Sequence, residues 1–259
     1  MLVKVTNYCS AGCSHCMEDS TRRGTHMTEE TFRKALSFTK RIERVALEAG
    51  CPPMLLLSGG ECTEHPEIVR FVEIVVEEGF FPLLITNGLW LANEELRAAL
   101  LRPEWPKMLV QVTNDDRFYP QPLPVRVEDR RIVYSERLPG GLLPLGRAAR
   151  RRGEDQKKAP SSFNLRSITR SMRAVAFIRA RALLGGLNGQ CTPSVCDNGD
   201  VMAGESRNCF RIGTVDSSEE ELTRALVDMK CNRCGLVGNL THEQKRAIGE
   251  SLLFSPYES

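Results

Sequence analysis

The chain has 259 residues, 41% hydrophobic and 26% charged, which suits one large globular α/β domain or a domain with a smaller appendix. Its net charge of +2 gives no bulk electrostatic reason to expect nucleic acid or an anionic membrane as partner, and no apolar run reaches the roughly 18 residues of a bilayer span. Residues 1–8, MLVKVTNY, lack the layout of a signal peptide, so the expected address is cytoplasmic, where clustered cysteines serve metal or redox chemistry more than disulfides.

The first ~115 residues alternate short apolar runs with amphipathic helical patterns, the mark of βαβ units around a parallel sheet. Leu2–Thr6 is the first predicted strand. Thr28 caps a helix with Glu29 and Glu30 in its first turn, its apolar face carried by Phe32, Ala35, Leu36, Thr39, Ile42, Ala46 and Ala49, and Gly50 ends it. Met54–Leu57 is a second strand, closed by Ser58-Gly59-Gly60. Pro66 opens a helix that stops at Gly79; Phe81–Thr86 is the third strand. A helix capped at Asn93 and ended by Pro103 leads to a fourth strand, Met108–Thr113.

Between Asn114 and Pro160 the chain is rich in Pro, Gly and Arg, and only Arg131–Ser135 reads as a strand. GRAARRRGEDQKK, 146–158, is expected to be solvated. A helix resumes over 171–184 and ends at Gly185-Gly186. Beyond it an Asn198-Gly199 turn lies between β-prone arms, a hairpin signal. Ser218-x-x-Glu221 is a capping box opening a last helix just before CNRC. The expected organisation is a parallel α/β body over 1–185 and a small cysteine-bearing appendix over 186–259.

Three of the ten cysteines fall within eight positions, Cys9-x3-Cys13-x2-Cys16, directly after the first strand. Structural zinc needs four ligands and these supply three; His15 is a poor fourth, because it is adjacent in sequence to Cys16. A [4Fe–4S] cluster has four irons, so three thiolates leave one iron open to a small molecule. Gly59-Gly60-Glu61 follows the second strand, at the end where parallel α/β folds place their sites. Two glycines permit close backbone approach, and Glu61 can accept from an ammonium group.

With these motifs the chain resembles the radical S-adenosylmethionine (SAM) superfamily: Cys9-x3-Cys13-x2-Cys16 after strand one, Gly59-Gly60-Glu61 after strand two, and ITNG (85–88) after strand three. The resemblance covers roughly residues 1–185 and implies a partial (β/α)6 barrel. It implies that the open iron is chelated by SAM, that cluster reduction cleaves SAM to methionine and a 5′-deoxyadenosyl radical, and that this radical abstracts a substrate hydrogen. It also implies a flavodoxin- or ferredoxin-type reductant. By the same resemblance Gly59, Gly60 and Glu61 hold the SAM amino group, His15 lies where an aromatic residue packs near the adenine, and Thr86 and Asn87 reach toward the ribose. For Thr86 and Asn87 an ordinary strand-end turn is the competing reading. Gly146-Arg147-Ala148 resembles a late-barrel turn of relatives with a second cluster. Cys62 stands where relatives carry proline, and reads as a buried bystander thiol more than a hydrogen-atom donor; His65 reads as a helix-entry residue.

A second set comprises Cys191, Cys209, Cys231 and Cys234. Two local pairs also build zinc ribbons, and ligand chemistry alone leaves zinc and [4Fe–4S] both open. The spacing Cys191-x12-Gly204-x4-Cys209 resembles the hairpin of SPASM/twitch extensions, which implies one auxiliary cluster closed by Cys231-x2-Cys234, with Cys196 a possible substitute ligand. A cluster with four protein ligands suits an electron relay, which points to a two-electron oxidation. Peptide crosslinking and dehydrogenation of a small natural-product intermediate are both expected substrate classes, and no leader-binding domain is expected ahead of Cys9. The contrasting expectations are a redox-neutral epimerase or isomerase, and a non-enzymatic structural zinc protein.

Overall fold

The computed structural model describes residues 1–48, 50, 53–114, 117–135, 145–150 and 193–228. In chain order its elements are β1 (Leu2–Thr6), α1 (Glu29–Glu48), β2 (Met54–Gly59), α2 (Ile68–Glu77), β3 (Phe81–Thr86), α3 (Glu94–Leu100), β4 (Leu109–Thr113) and β5 (Ile132–Ser135), then β6 (Ser194–Val195), β7 (Asp200–Met202), β8 (Arg211–Thr214) and α4 (Glu219–Asp228). The strands form one eight-stranded sheet in the order β5-β4-β3-β2-β1-β6-β7-β8. Every pair from β5 through β1 to β6 is parallel; β6–β7 and β7–β8 are antiparallel. Among the described residues this α/β sheet is not closed: β5 and β8 are its edges.

The helices form where capping and periodicity ask for them. Thr28 Oγ1 accepts from the Thr31 amide at 3.2 Å, and Phe32, Ala35, Leu36 and Ile42 turn one face of α1 into the core. Phe32 stacks on Phe71 of α2 with ring centroids 4.2 Å apart, so the two helices share an aromatic contact over the sheet. Asn93 Oδ1 accepts from the Leu96 amide at the start of α3. Ser218 and Glu221 exchange reciprocal bonds at the start of α4, at 2.8 and 3.1 Å. Val3, Val5, Leu55, Leu57, Leu84, Val110 and Val112 supply the strand side of the core.

The Asn198-Gly199 turn joins β6 to β7, with Gly199 at φ +83°. These strands continue the parallel sheet on the far side of β1. One difference concerns 146–150, expected to be solvated: Gly146–Arg150 is a 3-10 turn with Ala148 buried. Apolar Leu145 and Ala148 pull this basic stretch inward, while Ala149 and Arg150 stay exposed. The helix expected over 171–184 lies outside the described residues, as do Cys51, Cys191, Cys231 and Cys234. No helix among the described residues is long and apolar enough to cross a membrane.

Candidate functional site

Parallel pairing brings the C-terminal ends of β1 to β4 to one edge, and every predicted N-terminal site residue lies there. The exits are laced together. Gly60 N donates to Thr6 O at 2.8 Å and Glu61 N to Tyr8 O at 2.9 Å, which continues the β1–β2 pairing past the strands. Thr113 Oγ1 bonds Thr86 O at 3.3 Å, and Asn114 Nδ2 donates to Asn87 O at 3.2 Å. The two glycines are required by this lacing. A Cβ at Gly59 would lie 2.2 Å from Thr6 O, and one at Gly60 2.1 Å from Tyr8 O. Their close approach is to the chain's own backbone.

Glu61 is the hub. Only 3% exposed, its Oε1 accepts from Thr63 N (3.2 Å), Thr63 Oγ1 (2.6 Å) and Thr86 Oγ1 (2.6 Å), and its Oε2 accepts from Asn87 N (2.7 Å). Burial pushes its carboxyl pKa up, and the donors from Thr63, Thr86 and Asn87 pull against that. Among the described residues Oε1 is saturated by three N–H and O–H donors, whereas Oε2 takes one and retains acceptor capacity for another. Thr86 and Asn87 thus serve Glu61 directly, and the Asn87 side chain also closes a turn onto Leu89 N at 2.9 Å. Cys62 is fully buried beside them, its thiol 3.4 Å from Ile85 O, and burial raises its pKa well above an ordinary thiol.

The cysteine loop after β1 carries Cys9, Cys13 and Cys16 on a short span whose thiols feel one another. Burial pushes Cys9 up to about 11, with Glu61, Glu64 and Cys16 adding to the rise. Burial likewise pushes Cys13 up to about 12; Cys9 and Cys16 add to it and Arg147 opposes it. Glu64, in the 3-10 turn Cys62–Glu64, accepts from Ser10 N at 2.8 Å and from Ser10 Oγ. Arg147 Nε donates to Cys13 O at 2.9 Å and Nη1 to Ser20 O at 3.0 Å. His15 is buried, its ring 5.1 Å from Phe118 and 4.8 Å from Tyr119. Tyr119 bonds Thr113 Oγ1 at 3.2 Å, and burial raises its phenol pKa, with the charges of Cys13, Glu61 and Cys9 adding to the effect.

The far end of the loop meets the hairpin region. Ser206 Oγ and Asn208 Nδ2 both donate to Met17 O at 2.8 Å, and Arg207 N donates to Glu18 Oε2 at 3.0 Å. Cys209, next in sequence, is therefore carried on a segment docked against the residues that follow Cys16. Buried Lys4 pairs with Glu18 at 3.0 Å. Cys196 is buried, and burial raises its thiol to about 11, with Lys4 and Arg207 opposing and Glu18 and Asp197 adding.

Glu64, Arg147, Phe118 and Tyr119 are the site residues that sequence reasoning missed or misassigned. Glu64 had a faint signal, a carboxylate three positions after Glu61 at a strand exit; the two aromatics had none, since only the fold brings them to His15. Among the described residues no three His, Cys, Asp or Glu side chains are grouped as ligands of a metal ion. The three thiolates of a cluster sit on separate irons, and Cys9, Cys13 and Cys16 on one tethered loop beside an acceptor-bearing Glu61 fit that donor set. No family model matches the chain, and no curated protein matches it.

Proposed function

We propose that the chain is a radical SAM enzyme, built on a partial (β/α)6 barrel over 1–185 with a twitch-like extension over 186–259. One observation carries this reading. The three-cysteine loop and Gly59-Gly60-Glu61 leave adjacent parallel strands at the same end; Gly60 and Glu61 bond Thr6 and Tyr8 at the loop's entry, and Glu64, three residues on, bonds Ser10 within it. Cys9, Cys13 and Cys16 would hold three irons of a [4Fe–4S] cluster. The remaining acceptor capacity of Glu61 Oε2 suits the ammonium group of SAM, and Thr63, Thr86 and Asn87 hold that carboxylate in one orientation. His15, flanked by Phe118 and Tyr119, gives the loop an aromatic wall.

When bound and reduced, the cluster and SAM supply a 5′-deoxyadenosyl radical that abstracts a substrate hydrogen. The substrate is a peptide or a small natural-product intermediate. A net two-electron oxidation is favoured by the second cysteine set, of which Cys209 follows a segment bonded to Met17 through Ser206 and Asn208. The electron donor is of the flavodoxin or ferredoxin class.

The test is iron, sulfide and zinc analysis of anaerobically reconstituted protein beside its Cys9/Cys13/Cys16→Ala variant. About eight irons falling to about four, as two four-iron clusters require, is the expected result. Zinc alone, or iron unchanged by the substitution, would overturn the proposal.

A further inference from the structure

Two charged side chains of opposite sign grip the cysteine loop. Glu64 holds it at Ser10, the residue after Cys9, through both carboxylate oxygens. Arg147 holds it at Cys13 and Ser20 through two arms of its guanidinium. Neither can readily swing away. Glu64 sits in the short turn that begins at Glu61, and its own amide donates to Glu61 O at 3.0 Å. Arg147 sits on a turn pressed against the loop, where a Cβ at Gly146 would lie 2.8 Å from both Cys16 O and Met17 O. Both side chains are partly buried, so their fields at the loop are less screened than those of surface charges.

We propose that Glu64 and Arg147 are positioning residues that also set the reduction potential of a cluster held by Cys9, Cys13 and Cys16, in opposite directions. The inference rests on reading this loop as a cluster site. Reduction adds one electron, supplied by an external one-electron donor, to a site already carrying three thiolates. The fixed guanidinium stabilises that added negative charge and raises the potential; the fixed carboxylate opposes it and lowers the potential. Net charge and hydrogen bonding around the ligands are the levers by which proteins tune such clusters.

The experiment is a potentiometric titration of the reconstituted full chain, following by electron paramagnetic resonance the signal that Cys9/Cys13/Cys16→Ala removes. Arg147→Gln shifts the midpoint to more negative potential, Arg147→Lys stays near wild type, and Glu64→Gln, whose amide can still bond Ser10, shifts it to more positive potential. Equal midpoints in all four proteins overturn the inference while leaving the cluster site intact, whereas a wild type that binds no iron sinks the proposed function itself. Should Arg147→Gln fail to load iron, Glu64→Gln decides: a raised midpoint upholds the proposal and a wild-type one ends it.

Discussion

The hydroxyl of Thr86 and the carboxylate of Glu61 meet at 2.6 Å across the ends of β3 and β2. With the Asn87 amide at 2.7 Å on the other oxygen, this contact ties two strand exits into one unit. Replacing Glu61 by Ala leaves buried donors of Thr63, Thr86 and Asn87 without their acceptor, and an unsatisfied buried donor costs about 1–3 kcal/mol. Glu61→Ala is therefore expected to destabilise the fold by about 3 kcal/mol or more. Glu61→Gln, which keeps one carbonyl oxygen, should lose roughly half of that. Urea unfolding followed by circular dichroism measures both. A Glu61→Ala protein as stable as wild type would show that the hub is not structural.

The Lys4–Glu18 pair makes a separate prediction about how the hairpin is joined to the cysteine loop. Lys4 Nζ lies 3.1 and 3.0 Å from the two Glu18 oxygens, and Glu18 Oε2 also accepts from Arg207 N. Lys4→Met strands a mostly buried carboxylate, a change that costs about 3–5 kcal/mol in buried pairs. Lys4→Met/Glu18→Leu removes both charges and should recover a large part of the loss. A double-mutant cycle reads the coupling directly, and a coupling below about 0.5 kcal/mol would mean the two sites behave independently.

His65 governs part of the acid sensitivity. It is 2% exposed; its Nδ1 accepts from Glu67 N at 3.0 Å, so Nε2 carries the proton and donates to Met27 O at 2.9 Å. Burial lowers its pKa from 6.5; the bond to Met27 O opposes this, the neighbouring His26 adds to it, and Glu67 works against it. Phe71 and His26 close the ring in at 4.5 and 5.0 Å. A depressed histidine pKa means the unfolded chain binds the proton more readily, so the stability it confers is complete above 6.5 and is lost as pH falls below that value. Wild type should lose more stability between about pH 7 and 5 than His65→Gln does. Identical slopes in urea titrations across that range would rule the residue out.

The local elements were readable because their causes are local. β1 and β3 have the bounds expected from the apolar runs Leu2–Thr6 and Phe81–Thr86, and Asn93, Ser218 and Thr28 cap the helices their sequence context announces. The strand order was not readable on the C-terminal side. Two residues, Ser194 and Val195, join β1 through pairing that no local pattern encodes. Basic composition suggested solvent for 146–150, but Ala148 packs inside and Arg147 spends its donors on loop carbonyls. At the site, residue types were legible and roles were less so: Gly60 answers to Tyr8, and Thr86 and Asn87 answer to Glu61.

The pairing of Leu2 with Ser194 has a consequence for synthesis. β1 is made some fifty residues before β2 and keeps its other edge bare until β6 has been made. An open strand edge is a hazard during vectorial folding, and the Ser206 and Asn208 contacts that steady Met17 arrive later still. The cysteine loop is thus translated early and braced late, so a nascent chain has its thiols long before it has the walls that fix them.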